Sequence, residues 1–197
     1  HDFPNVTLVG ALLADMSLHS GDYRAAERTF QLLTQAGGRA GRGSKKGEFI
    51  IQTYDPEHYA IRFSAAQDYT GFYEEELAYR KLASYPPVSH ILTVQFYSRS
   101  ETAGGVRAQT MADLIKEEIR RGAFGKYLSV IGPAPAMIAK VNDIYRTGLH
   151  FRCEDEEMLI KVKDLIEEQQ GRNRREGTFS DKEDVIIQFD LDPVGGF

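Results

Sequence analysis

The sequence has few of the features that build cysteine sites or membrane spans. Its one cysteine, Cys153, excludes an internal disulfide and a zinc site made of cysteines within these 197 residues. No apolar run approaches the roughly 20 residues that cross a bilayer, and no basic stretch followed by an apolar leader is present. We therefore expect a protein of the reducing cytoplasm that does not enter a membrane.

Two motifs of nucleotide chemistry and a positive net charge are also missing. The chain has no G-x-x-x-x-G-K-[ST] phosphate loop and no D-E-x-H metal motif, so it offers no phosphate-loop lysine and no carboxylate of that motif for magnesium. Its formal net charge of −5 argues against a protein that coats nucleic acid through general charge. Any contact with DNA therefore has to be local.

The first part of the chain has the pattern of a strand, a helix and a second strand. Residues 3–9 form an apolar run typical of a buried parallel strand. Apolar residues then recur at helical spacing over 22–36, and residues 48–53 resemble another strand. This alternation predicts an α/β lobe whose loops gather at one edge of a sheet.

The loop after the predicted helix carries two arginines among glycines. Residues 35–42 have the sequence Gln-Ala-Gly-Gly-Arg-Ala-Gly-Arg, which contains Arg39 and Arg42. Guanidinium groups bind phosphate oxygens through paired, charge-assisted hydrogen bonds, and glycine lets the backbone approach a ligand. The loop is a candidate triphosphate site, although the same residues also fit a helix C-cap followed by solvated charges.

The loop pattern Q-x-x-G-R-x-G-R resembles motif VI, the arginine-finger motif of superfamily 2 helicases. Over nearly the whole chain the sequence further resembles the primosomal replication-restart helicases, the PriA family. The segments that carry this resemblance are 2–9, 22–35, 47–48, 52–53, 56–58, 73–77, 85–87, 131–135 and 190–193. Departures from the family pattern are Ala36-Gly37 in place of Val-Ala and a less acidic stretch at 16–21.

The resemblance implies both a fold and an activity. It implies part of a RecA-like second helicase lobe at 1–66, a helical linker at 67–87 and a C-terminal α+β domain at 88–197. The implied activity is that of a bacterial ATP-dependent 3′ to 5′ DNA helicase, which recognises stalled or branched replication forks and starts primosome assembly. The first lobe would precede His1, so the chain would be the C-terminal portion of a larger protein and alone would lack ATPase activity.

The family also implies roles for particular residues and a set of cofactors. Arg39 and Arg42 would reach the γ-phosphate of ATP, and Gln35 would position the phosphate or the attacking water, with Gly38 completing the ATP site. ATP and Mg²⁺ would be held mostly by the missing part, as would the zinc of the family's cysteine-rich insertion. The implied partners are forked or single-stranded DNA, primosome proteins and single-stranded-DNA-binding proteins, and the chain would be a monomer.

The second half of the chain begins after Tyr85-Pro86-Pro87, which ends a predicted helix at 74–82 and indicates a domain boundary. The predicted strands and helices that follow are a strand at 88–97, a helix at 101–121, strands at 128–131, 136–141 and 148–153, a helix at 155–170 and a strand at 185–189. A rigid turn is expected at 132–135. If 136–153 is one bent strand or a hairpin, the order is β-α-β-β-α-β, the ferredoxin-like arrangement.

Two groups of residues in this half are candidate DNA contacts. Tyr145, Arg146 and Arg152 interleave an aromatic ring with cations that stack on bases and hold phosphates, and the basic cluster after the last helix includes Arg172 and Arg174. Ordinary strand and hairpin surface, and a solvated loop between a helix and a strand, explain the same residues without any DNA contact. As an alternative to the helicase, the chain could act as a non-catalytic DNA- or protein-binding module within a replication complex. No metal site is expected.

Overall fold

The computed structural model describes residues 6–19, 21–41, 46–124, 127–175 and 185–194. In the last helix, side chains are described only as far as residue 172. The protein is a mixed α/β chain that divides into two compact units, His1–Leu82 and Ala83–Phe197. Within the described ranges, none of the helices combines the length and the apolar character that a membrane crossing requires.

The first unit contains the predicted strand–helix–strand order. Strand β1 (Leu8–Ala11) pairs in parallel with β2 (Glu48–Ile51), and helix α1 (Ala25–Gly37) connects them. A 3-10 turn at Ala14–Ser17 follows β1. Helices α2 (Tyr59–Ala66) and α3 (Tyr69–Ala83) follow β2.

Helix α1 organises the core of this unit. Its apolar stripe places Phe30 on Phe72 of α3, with ring centroids 4.1 Å apart, while Leu33 packs in a cluster with Ile61 of α2. These side chains are almost fully buried. The burial stabilises the unit by withdrawing large apolar side chains from water, at about 1.5–3 kcal/mol for each.

The second unit is an antiparallel sheet with two helices on one face. Strands β3 to β6 and helices α4 and α5 follow in the chain order β-α-β-β-α-β, and the strands lie side by side in the order β4-β5-β3-β6. The bounds are β3 His90–Ser98, α4 Glu101–Arg120, β4 Ser129–Val141, β5 Ile144–Cys153, α5 Glu156–Arg175 and β6 Ile186–Leu191.

The core of the second unit lies between the sheet and the helices. Val94 and Phe96 of β3 alternate with residues of the opposite sheet face, because successive strand side chains point to opposite sides. They pack in one cluster with Met111 and Ile115 of α4 and with Ile166 of α5. All five are fully buried, so this cluster fixes the sheet to both helices.

The predicted rigid turn at 132–135 is wrong. Strand β4 continues through these residues, and its pairing with β5 shifts register between Ile131 and Ala134 and again between Pro135 and Lys140. A proline lacks the N–H that a sheet needs, but an edge strand tolerates that loss. Because β4 lies at the sheet edge, the prolines interrupt its pairing without ending the strand.

Of the two arrangements considered for 136–153, the hairpin is confirmed. Val141 pairs with Ile144, so a two-residue turn of Asn142 and Asp143 joins β4 to β5. Both turn residues have positive φ angles, 49° and 60°. This is the type I′ geometry that suits the twist of a hairpin and that Asn and Asp accept more readily than most residues.

Candidate functional site

The arginine loop of the first unit begins at the end of α1. The backbone N–H of Gly38 donates to the carbonyl of Thr34 at 3.0 Å, and the N–H of Arg39 donates to Ala36 at 3.1 Å, so the last helical turn continues into the loop. Gln35, Gly38 and Arg39 are exposed. The end of the helix is therefore accessible to solvent at these three residues.

The far end of the loop is fixed to the sheet. The N–H of Gly41 donates to the carbonyl of Val6 at 2.9 Å, and Gly41 has a φ of +75°, a conformation that favours glycine. A side chain added at Gly47 would lie 2.1 Å from the backbone nitrogen of Gly41. Glycine at 47 therefore permits the backbone at 47 to lie close to the backbone at Gly41. Arg42 lies outside the described residues.

The arginine loop lies at the amino ends of β1 and β2. Val6 and Thr7 precede β1, and Thr7 accepts a hydrogen bond from the N–H of Glu48, the first residue of β2. Open α/β sheets more often bind ligands at the carboxyl ends of their strands. The loop occupies the other edge because it leaves a helix and enters a strand.

The departure from the family pattern at Gly37 has a local structural counterpart. Gly37 is buried, and a Cβ added there would lie 3.0 Å from Cδ1 of Phe49 in β2. Alanine at this position thus requires a small shift of the Phe49 ring, whereas glycine does not.

A buried carboxylate, which the sequence did not reveal as important, lies at the carboxyl ends of the strands. Asp15 accepts hydrogen bonds from the hydroxyl of Thr53 and from the N–H groups of Tyr54 (2.8 Å) and Asp55 (3.4 Å). These bonds, that from Thr53 first, lower the pKa of Asp15. Asp15 is therefore ionised at neutral pH, and its hydrogen bonds hold the residues that follow β2 in place.

A second buried network joins the three helices of the first unit. Arg80 of α3 makes 2.7 Å ion pairs with Glu76 and with Glu27 of α1, and the hydroxyl of Tyr59 in α2 donates to Glu76 at 2.6 Å. Burial, followed by the bond to Glu76, raises the pKa of Tyr59. The network holds α1, and with it the start of the arginine loop, against α2 and α3.

The predicted DNA contacts of the second unit fall in different places. Arg152 donates to the carbonyl of Ala83 at 3.2 Å, and its guanidinium lies 4.5 Å from the centre of the Tyr85 ring. Arg172 forms an ion pair with Glu168 one turn earlier on α5. The side chain of Arg174 lies outside the described part of the chain.

Tyr145 and Arg146 are the two predicted contacts that lie side by side, near the hairpin turn. Arg146 is paired across the strands with Tyr97, and its guanidinium lies 5.7 Å from the centre of that ring. Tyr145 points to the opposite face of the hairpin, where Lys140 lies 4.8 Å from the ring centre. One face of the hairpin thus carries Lys140 beside Tyr145, and the other carries Arg146 beside Tyr97 of β3.

His150 lies on β5 between Arg146 and Arg152, and its side chain forms a hydrogen bond within the sheet. Its Nδ1 lies 3.0 Å from the hydroxyl oxygen of Thr93 on the neighbouring strand. Burial, and then the charge of Arg152, lower the pKa of His150. A neutral imidazole at neutral pH follows, so His150 adds no charge to this surface.

Sequence comparison finds relatives over most of the chain. A family model described as the Primosomal protein N C-terminal domain matches residues 81–194. The chain is 38% identical over 192 residues to the Replication restart protein PriA of Bacillus subtilis. The aligned residues make up 98% of this chain and 22% of that protein. The Synechocystis protein of the same name is 39% identical over 148 residues, covering 75% of this chain and 17% of its own length.

A third protein of that name, from Treponema pallidum, is 33% identical over 194 residues, which covers 98% of this chain and 27% of its own length. The chain thus spans 17% to 27% of the length of these curated relatives. Among solved structures, the de novo designed protein Foldit4 aligns over 52% of this chain and 96% of its own, with a TM-score of 0.31 and 14% identity. That likeness is too low to support a conclusion.

Proposed function

Because the chain belongs to the PriA family of replication restart proteins, we propose that it forms the C-terminal part of an ATP-dependent 3′ to 5′ DNA helicase. In this proposal the whole protein recognises stalled or branched forks in the bacterial cytoplasm and starts primosome assembly. Its partners are forked or single-stranded DNA, primosome proteins and single-stranded-DNA-binding proteins.

The arginine loop is the observation that carries this proposal. Arg39 lies exposed at the end of a helix whose position is fixed by a buried core, and the loop is tied to the sheet at Gly41. A guanidinium held in this way binds phosphate oxygens without a large loss of backbone entropy. Gln35 lies one helical turn earlier on the exposed end of α1.

The proposed roles of this chain are therefore to bind and to orient. Arg39 and Arg42 bind the γ-phosphate of ATP and stabilise the charge that develops during its transfer, and Gln35 orients the phosphate or the attacking water. The backbone at Gly38 lies close to the phosphates. Magnesium and the phosphate-loop lysine come from residues outside this sequence, so the chain alone does not hydrolyse ATP.

The two units support a finer description of the fold. The parallel β1–α1–β2 arrangement suits one edge of a RecA-like helicase lobe. The strand order β4-β5-β3-β6, with antiparallel pairing and helices on one face, suits a ferredoxin-like domain. We include both in the proposal.

The experiment that tests the ATP site is a turnover measurement on the complete protein. Replacing Arg39 by Ala is expected to lower DNA-stimulated ATP hydrolysis by about 10³- to 10⁵-fold, since arginine fingers contribute that much to the rate. Arg62→Ala is the matched control, because Arg62 is also an exposed arginine of the first unit but pairs with Glu75 on α3. Near-normal turnover of the Arg39 variant would overturn the ATP site.

A second candidate function is a non-catalytic binding module. Two cation–aromatic pairs favour it, Lys140 with Tyr145 in the β4–β5 hairpin and Arg146 with Tyr97 of β3, because such pairs suit contacts with nucleic acid. If the Arg39 variant kept its ATP turnover while the chain still bound DNA, the module would be the better description.

A further inference from the structure

A cavity of about 380 Å³ lies at the tip of the β4–β5 hairpin. It is lined by Arg99, Lys140, Asn142, Asp143 and Tyr145. Arg99 follows the last residue of β3, and the hairpin supplies the other four. The volume falls within the range of small-molecule sites, roughly 300–1,000 Å³.

The cavity is rich in hydrogen-bond donors and has a net positive charge. Lys140 and Arg99 are cations, and the one carboxylate is that of Asp143, whose side chain is 92% exposed. The ammonium of Lys140 lies 2.9 Å from Asp143, and that hydrogen bond raises the pKa of Lys140. Lys140 therefore remains a cation beside the cavity, and 45% of its side chain is exposed.

The chemistry of both hairpin faces indicates what the cavity binds. Next to the cations of one face lies the Tyr145 ring, and the opposite face carries Arg146 beside Tyr97. Cations interleaved with aromatic rings suit a single strand of nucleic acid, whose phosphates need charge and whose bases need flat partners. A peptide carboxylate or a free phosphate would use the cations alone.

We propose that the hairpin tip is a binding site for single-stranded nucleic acid. Arg99 and Lys140 hold one backbone phosphate in the cavity, and Tyr145 lies against the adjoining sugar and base. The site deepens the DNA recognition of the proposed function and rests on it. It adds Arg99, Lys140 and Asn142 to the contacts predicted from the sequence, while Arg152, held by Tyr85 and Ala83, is a structural residue.

Substitution of Asp143 is expected to strengthen binding of nucleic acid, whereas substitution of the two cations weakens it. Its carboxylate repels a phosphate and competes for the ammonium of Lys140, so its neutralisation strengthens binding. Asn accepts positive φ angles at least as readily as Asp, so Asp143→Asn, at φ +60°, leaves the turn intact.

The test is fluorescence anisotropy of the 197-residue chain with a labelled fork that has single-stranded arms, at several salt concentrations. Arg99→Ala and Lys140→Ala are each expected to weaken binding roughly tenfold and to reduce the slope of log K against log salt by about 0.7. Tyr145→Ala weakens binding about tenfold, whereas Tyr145→Phe keeps the ring and most of the affinity. Asp143→Asn strengthens binding about threefold.

The matched control is Lys163→Ala, which removes the same charge from a partly exposed lysine on α5 that is paired with Glu167. If the Arg99 and Lys140 variants bind the fork as the Lys163 variant does, the hairpin site is overturned and the proposed DNA function stands. If the unaltered chain binds no DNA at low salt, DNA recognition by these residues is itself wrong. Weaker binding by the Asp143 variant would also contradict the site, provided that its thermal melt matches the unaltered chain.

Discussion

At the scale of single residues, the glycines of the arginine loop separate into two kinds. Gly41 has a φ of +75°, whereas Gly38 lies in the ordinary helical region, where an added Cβ would make only a 3.5 Å contact with the Thr34 carbonyl. The fold therefore requires glycine at 41 and does not require it at 38. A glycine that packing does not demand suits a position where a ligand approaches the backbone.

Substitution by alanine tests this difference. We expect Gly41→Ala to lower the free energy of unfolding of the first unit by about 1 kcal/mol, because alanine disfavours positive φ. Gly38→Ala should change it by less than about 1 kcal/mol, in the stabilising direction. Urea denaturation followed by circular dichroism measures both values.

The same Gly38 variant has a second readout in the complete protein. If the Gly38 backbone contacts the phosphates, the added methyl group lowers DNA-stimulated ATP turnover although the fold keeps its stability. Unchanged turnover would remove Gly38 from the proposed ATP site and leave Arg39 to be judged by its own variant.

Sequence reasoning located the arginine loop but not the grouping of the DNA candidates. The loop is a local feature, so the residues that follow the helix could be identified from spacing alone. The neighbours of Tyr145 and Arg146 depend instead on strand register: Arg146 meets Tyr97, 49 positions earlier in the sequence, only because β3 and β5 pair in one particular alignment. Arg99 comes near Tyr145 through the same β3–β5 pairing. Lys140 and Asn142 come near it through the tight turn of the β4–β5 hairpin, one of the two arrangements that the sequence left open.

At the scale of helices and strands, the buried ion pairs of Arg80 hold the first unit together. Arg80 and Glu76 are 8% and 6% exposed, so removing the guanidinium leaves a carboxylate in a poorly solvated place. We expect Arg80→Ala to lower the free energy of unfolding of this unit by about 3–5 kcal/mol. A urea titration of the chain measures the change.

The control for that change is another arginine of the same helical layer. Arg62 of α2 pairs with Glu75 of α3 at 2.9 Å, but both side chains are about half exposed. Arg62→Ala should therefore cost less than about 1 kcal/mol. Equal losses for the two variants would show that burial of the Arg80 network does not matter.

The helices and strands that were missed or misplaced have identifiable physical causes. Helix α2 escaped prediction because its N-cap is His58, whose Nδ1 accepts the N–H of Ala60 at 3.2 Å, and histidine is not a usual capping residue. Helix α3 begins at Tyr69 rather than near 74, since Asp68 accepts the N–H of Gly71 and caps the helix. Strand β4 is continuous where the sequence predicts a turn, because prolines usually indicate a turn but an edge strand tolerates them.

At the scale of the whole molecule, a net charge of −5 coexists with a local cationic surface. The acidic residues lower general affinity for DNA, so binding has to depend on a few placed cations and on the shape of the nucleic acid. The hairpin tip of the second unit provides such a place. In the proposed function, DNA binding by this chain is separate from ATP hydrolysis by the complete protein, because the sequence contains no phosphate loop.

The most direct test of DNA recognition by this chain is a comparison of a labelled forked DNA with a matched single strand. The 197-residue chain is titrated onto each by fluorescence anisotropy at several salt concentrations. We predict tighter binding to the fork, with affinity that falls as salt rises because phosphate contacts release counterions. Equal affinity for the two DNAs, or no binding at low salt, would contradict the recognition of forks by these residues.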